Sequence, residues 1–224
     1  MTTFDRIKLK IETVNPIART RRSKMRAGLK NRNITFLAPN CIGGILFHDL
    51  GLEFMSPTVN LMLNQRDFVK FVTHLDEYLE KDFKFFQHPE LTCPCATLGD
   101  ITVTFTHFAS ETEAAAKWKE RAKRIQRNNL FIFAEERDGI TKEEILSLGK
   151  LDVKGIVVFT AHEYPDIPYA VCIPKYKEAG EVGNILARNY INDQREYELF
   201  FDFVKWFNEA DGGDYDVARF SRIG

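Results

Sequence analysis

Apolar residues change their spacing along this chain, and each change marks an element. Residues 4–12 carry Phe4, Ile7, Leu9 and Ile11 between polar neighbours, a near-alternation that predicts a strand. Asn15-Pro16 follows: a capping residue, then a proline whose missing N–H costs nothing in the first helical turn. A helix over about residues 16–30 is predicted. Residues 34–38 form a short continuous apolar run, as a buried strand does, and residues 41–50 read as a helix closed near Gly51. Asn64 opens another helix, in which Phe68, Phe71, Val72, Leu75, Tyr78 and Leu79 share one face at the helical period. Residues 101–107 alternate cleanly and predict a strand. Ser110 with Glu113, and Thr141 with Glu144, have the spacing of capping boxes. The first predicts a helix to about Arg127, with Ala114, Ala115, Trp118, Ala122 and Ile125 inward; the second predicts one to about Leu148. Residues 129–134, 154–160 and 169–173 read as strands, and residues 196–208 as a terminal amphipathic helix.

Strands alternating with helices predict an α/β fold: a mixed, mainly parallel sheet with helices on both faces, in three layers. The organisation expected is a basic N-terminal strand and helix (residues 1–32) packed on a single α/β domain (33–210), then a loose tail (211–224) that begins at Asp211-Gly-Gly-Asp214.

Composition adds bounds. At 44% apolar and 28% charged the chain is an ordinary globular sequence, and its 19 phenylalanines supply large side chains to a core. No apolar run approaches the ~18 residues of a membrane span, and the first ten residues lack the apolar stretch of an export signal. Four cysteines without such a signal read as reduced thiols in the cytoplasm.

Charge is uneven. Residues 1–32 hold ten Lys/Arg and two Asp/Glu, a local +8, which leaves −9 for the remainder. Contact with an anionic membrane surface through Arg19, Arg21 and Arg22 is one reading, which would make the protein membrane-peripheral. The other is a helix face that pairs with the acidic remainder. No aromatic residue is interleaved with the basic run to stack on bases, so no nucleic acid is expected.

One stretch suggests chemistry. Cys41 opens a helix just after a strand, where the helix dipole favours a thiolate, and His107 ends another strand. A thiol nucleophile needs a base and oxyanion donors. His107 is the candidate base; the Cys41 N–H and the Asn40 side chain are candidate donors, and Gly43 and Gly44 permit close approach. The plainer alternative is a buried cysteine and a hydrogen-bonded histidine. Lys117, Arg121 and Arg124 form a cationic line on one helix face, suited either to a phosphate or carboxylate or to ion pairs with acidic neighbours. Cys93-Pro-Cys95 with His88 supplies too few ligands at too narrow a spacing for zinc, and Gly43-Gly44 matches no nucleotide-binding pattern. No metal and no cofactor are expected.

The motifs Asn40-Cys41-x-Gly43-Gly44, Asp49-Leu-Gly-Leu52, Ser56-Pro-Thr-Val59, Gly99-Asp-Ile101, His107, Lys117-Trp118-x-x-Arg121-x-x-Arg124-Ile125, Asn129-Leu-Phe131 and Arg137-Asp-Gly139 together resemble an uncharacterised bacterial family associated with exopolysaccharide biosynthesis. The likeness spans roughly residues 30–175. This chain departs from it in carrying Ala38-Pro39 where members have Asn or Ser before Asn-Cys. The Asn40-Cys41, Ser56-Pro57, His107 and Arg121/Arg124 series is also similar, more distantly, to papain-like cysteine peptidases. The resemblances imply a carbohydrate or acyl-carbohydrate substrate and acyl transfer or hydrolysis through Cys41. His107 would be the base and Asn40 the oxyanion aid. Arg121, Arg124, Lys117 and Ser56 would lie on the substrate side. An orienting carboxylate would come from Glu135, Glu136 or Asp138, with Glu136 or Asp138 preferred. The rivals are a non-catalytic binding or scaffold protein of the same pathway and a glycosyltransferase-like enzyme.

Overall fold

Asn15 caps the first helix: its side chain accepts from the N–H groups of Ile17 and Ala18, and Pro16 fills the first turn. In the computed structural model, which describes residues 15–223, this helix α1 spans Pro16–Gly28. There follow β1 (Thr35–Leu37), α2 (Ile42–Leu50), α3 (Gln65–Thr73), α4 (Leu75–Leu79), β2 (Phe83–Phe86), β3 (Cys95–Leu98), β4 (Ile101–Thr104), α5 (Glu111–Ala122), β5 (Leu130–Glu135), α6 (Lys142–Leu148), β6 (Gly155–Thr160), β7 (Ala170–Cys172), α7 (Tyr197–Phe200) and α8 (Phe203–Glu209). The strand expected over residues 4–12 lies outside the described residues.

The expected α/β architecture is present, with its parallel and antiparallel parts separated into two sheets. One is wholly parallel, in the order β1-β5-β6-β7; the other is the antiparallel meander β2-β3-β4. Every residue of β5 and β6 is buried, as central strands covered on both faces require. Phe36, Phe131 and Phe133 pack against Phe203, Trp206 and Phe207 of α8, so α8 closes one face. On the other side α3 touches both β5 and β4, so it lies between the two sheets. The antiparallel sheet has its own aromatic cluster, in which Trp118 of α5 meets Phe71 and Phe83, and Phe83 meets Phe105.

Four boundaries differ from the sequence expectation. The helix expected from Asn64 to Leu79 is interrupted at His74 (φ −127°, ψ 39°), after Thr73 returns its hydroxyl to the Val69 carbonyl at 2.7 Å. The helix that Ser110 starts ends at Ala122 rather than near Arg127. The terminal helix is split where Phe201 turns extended and bridges Ser221, and Asp202 then caps α8 through the Lys205 N–H. The tail is not loose: Val217 and Phe220 are buried, and the Asp202 N–H donates to the Phe220 carbonyl at 2.9 Å.

The basic helix α1 is largely turned inward. Arg21 pairs with Asp49, and with Glu198 at 2.6 Å; Arg22 pairs with Asp193 at 2.5 Å. Arg26 donates to the carbonyls of Asp49 and His48, which close α2. The acidic remainder of the chain thus pairs with Arg21 and Arg22, as the second reading of the basic run expects. Arg19 stays exposed. Among the described residues, no helix is long and apolar enough to cross a membrane.

A candidate cysteine–histidine site

β1 delivers the chain to the carboxyl edge of the parallel sheet, where Pro39 and Asn40 make the turn into α2. The Leu63 N–H donates to the Pro39 carbonyl at 2.9 Å. Its neighbour Met62 exchanges two backbone hydrogen bonds with Thr104, at 2.7 and 2.9 Å. Segment 62–63 therefore ties the end of β1 to the end of β4. His107 leaves β4 three residues later, and its Nε2 lies 3.3 Å from Cys41 Sγ. Two residues 66 positions apart are brought within hydrogen-bonding reach.

Cys41 is half-buried and His107 is exposed. Burial pushes the Cys41 thiol up, and a hydrogen bond from the Thr106 side chain pulls it back only in part. Burial thus acts on the sulfur against the pull of the helix start toward a thiolate. Thr106 is in turn held near the sulfur: its hydroxyl reaches the Asn60 carbonyl at 3.4 Å. Asn60 adopts φ +67°, and its Oδ1 would lie 2.5 Å from a Cβ at Gly44, so Gly44 is what admits this loop.

Asn40 works on both ends of its amide. Oδ1 accepts from the Ile42 N–H at 3.0 Å, starting α2, and Nδ2 donates to Glu135. That amide is aimed at a carboxyl and not presented to an oxyanion. Glu135, at 1% exposure, also meets the Gln65 amide: Nε2 approaches its Oε2 at 3.5 Å, and its own N–H donates to Gln65 Oε1 at 3.0 Å. Burial pushes the Glu135 carboxyl up to about 8. The backbone N–H of Gln65 donates to Asp138 at 3.2 Å.

The other expected residues go elsewhere. Glu136 faces away, accepting from the Ala161 and His162 N–H groups, the His162 ring and the Tyr164 hydroxyl. Among the described residues no side chain orients His107 from its far side. Arg121 is buried, donates to the Val59 carbonyl at 2.9 Å and lies over the Phe54 and Phe108 rings. Arg124 pairs with Glu120 and Glu53, and Lys117 with Glu120. Ser56 is buried and hydrogen-bonds Thr58. None of these four touches Cys41 or His107; they hold loops and helices in place. One Asp-x-Asp triplet, Asp214-Tyr215-Asp216, lies beside Gly155 at the opposite edge of the sheet, with its carboxylates accepting local N–H groups.

Sequence reasoning underrated Glu135 and overlooked Gln65 and Thr106. A signal for Glu135 was present: residues 135 and 136 must face opposite ways on one strand, so only one of them can lie on the Asn40 side.

Two comparisons bear on kinship. The model of a family described as a domain of unknown function, DUF1919, matches residues 13–208, which include all of the residues just described except the Asp214–Asp216 triplet. A protein of Haemophilus influenzae, described as an uncharacterised protein, is 37% identical over 182 residues, covering 81% of this chain and 87% of its own length. The chain belongs to the DUF1919 family.

Proposed function

We propose that this protein is a cysteine-dependent acyltransferase or hydrolase of bacterial surface-polysaccharide biosynthesis. Cys41 is the nucleophile and His107 its base. The observation that carries this reading is the 3.3 Å approach of His107 Nε2 to Cys41 Sγ. Because burial favours the thiol form of Cys41, His107 takes its proton as the sulfur attacks an acyl carbonyl. The Ile42 N–H at the start of α2 is taken by Asn40, so the Cys41 N–H is the candidate donor to the developing oxyanion. The imidazolium then protonates the leaving group, and water or a sugar hydroxyl releases the acyl group from sulfur. The pathway and the carbohydrate substrate rest on motif resemblance, and the cytoplasmic location on four cysteines without an export signal.

A non-catalytic binding protein of the same pathway is the second reading, and the upward push on the Cys41 thiol favours it. Alkylation separates the two. With Cys93, Cys95 and Cys172 changed to Ser, His107→Ala is expected to slow iodoacetamide labelling of Cys41 by about 10-fold or more at pH 7. An unchanged rate would leave Cys41 a structural cysteine and reject the enzymatic reading.

A further inference from the structure

The carboxyl of Glu135 is almost wholly removed from water, and among the described residues no cation hydrogen-bonds it. Its partners are neutral amides: Asn40 Nδ2 on one side and Gln65 Nε2 on the other. Burying such a group without an ion partner is costly. The contact it makes is directional. Asn40 has its Nδ2 on Glu135 and its Oδ1 on the Ile42 N–H, and the residue enclosed between these two attachments is Cys41. The Glu135 carboxyl therefore fixes the plane of the Asn40 amide. That plane fixes where α2 begins, and the start of α2 fixes where Sγ points. Gln65 of α3 braces the carboxyl from behind, and Asp138 braces the Gln65 backbone.

We propose that Glu135 is a positioning residue for Cys41, acting through Asn40 to aim the sulfur at His107. The proposal rests on the Cys41–His107 reading above for its consequence, but not for the coupling itself. A cleft of about 190 Å³ is lined by Asn40, Gln65, Glu135, Arg137 and Asp138 among others. The charged and titratable groups that face the Glu135 carboxyl are Arg137 and Asp138 at the strand exit and Tyr176 in the turn after β7. Arg137 favours ionisation and Asp138 opposes it.

The coupling is read by NMR on ¹⁵N-labelled Cys41→Ser protein, which removes the thiol's own titration. The Asn40 side-chain amide and the Ile42 backbone amide are expected to titrate together with a midpoint near 8, and to become flat there when Glu135→Gln is added. Flat resonances in the parent, or a titration that survives Glu135→Gln, would overturn the proposal. The consequence is read by Cys41 alkylation at pH 7. Glu135→Ala is expected to slow labelling by about 10-fold, and Glu135→Gln, which keeps an acceptor for Asn40, to restore it to within about 3-fold. Wild-type labelling in a folded Glu135→Ala protein would overturn positioning. If Glu135→Ala does not fold, the NMR titration decides alone. Insensitivity to His107→Ala with the titration present would instead remove the enzymatic reading and leave the Glu135–Asn40 coupling standing.

Discussion

Glu135, the last residue of β5, and Glu136, the residue after it, are both buried and point into two unlike regions. On the Cys41 side, the side-chain hydrogen-bond partners of Glu135 among the described residues are amides, and burial raises it to about 8. On the β6 side, Glu136 accepts from two backbone N–H groups at 2.7 and 2.9 Å, from the His162 ring at 2.8 Å and from the Tyr164 hydroxyl at 2.5 Å. Burial alone would raise Glu136 too, but Tyr164, His162 and Ala161 outweigh it and hold the carboxyl below its ordinary value. Tyr164 is pushed up to about 12, by burial first and then by this carboxylate. Glu135 is the more deeply desolvated of the two, and Glu136 has the more numerous donors, so depth and donors act in the same direction here.

The largest test of this contrast removes the better-supported carboxylate. Glu136→Ala strands two N–H groups and a hydroxyl at the end of β6, and urea denaturation at pH 7 is expected to show a loss of ~3 kcal/mol. A loss below about 1 kcal/mol would mean that water replaces the carboxylate there. Next comes Glu135→Gln, with the opposite sign. Between the free value of 4.5 and about 8, native Glu135 keeps a proton that the unfolded chain has released, so wild-type stability falls as pH rises through that window. The substitution is expected to gain ~2 kcal/mol at pH 8 and almost nothing near pH 4. Equal gains at both pH values would show that folding leaves the carboxyl's affinity for its proton unchanged. The smallest effect belongs to His162→Ala: with half its side chain exposed, it removes one of four donors to Glu136, and a loss of ~1 kcal/mol is expected. A loss matching that of Glu136→Ala would move the support of that carboxylate from the backbone to the imidazole.

Periodicity exposed the elements whose residues are paired with the core at a single spacing. The apolar runs of β5 and β6 and the caps at Asn15 and Thr141 were legible for that reason, and the Thr141 capping box is complete in both directions. The interruptions at His74 and Phe201 were not. The apolar face continues through each, and the break is imposed locally at Thr73 and by the Ser221 bridge. The β2–β3 pair was missed because its strands hold only four residues each, and Phe85 and Phe86 are both apolar where alternation would need a polar residue. Cys41 and His107 were legible as residue types at element ends. Their contact depends on segment 62–63 pinning one sheet to the other, which no local pattern encodes. The cationic line at Lys117, Arg121 and Arg124 was visible too, but its partners Glu53, Val59 and Glu120 determine its use, and two of these come from a distant loop.

During synthesis the order of the strands sets a schedule. Among the described residues β1 pairs in the parallel sheet with β5 alone, aligning Thr35 with Leu130, so for that pairing the intervening residues 38–129 must be made and accommodated first. Closing so long a loop is slow compared with forming the local meander β2-β3-β4. A growing chain therefore carries Cys41 just beyond β1 before β5 is there to pair with it, and Glu135, the last residue of β5, arrives only as that strand is completed. The thiol acquires its surroundings late, and a chain stalled before residue 135 would present an ordinary, accessible cysteine to whatever oxidant or electrophile it meets.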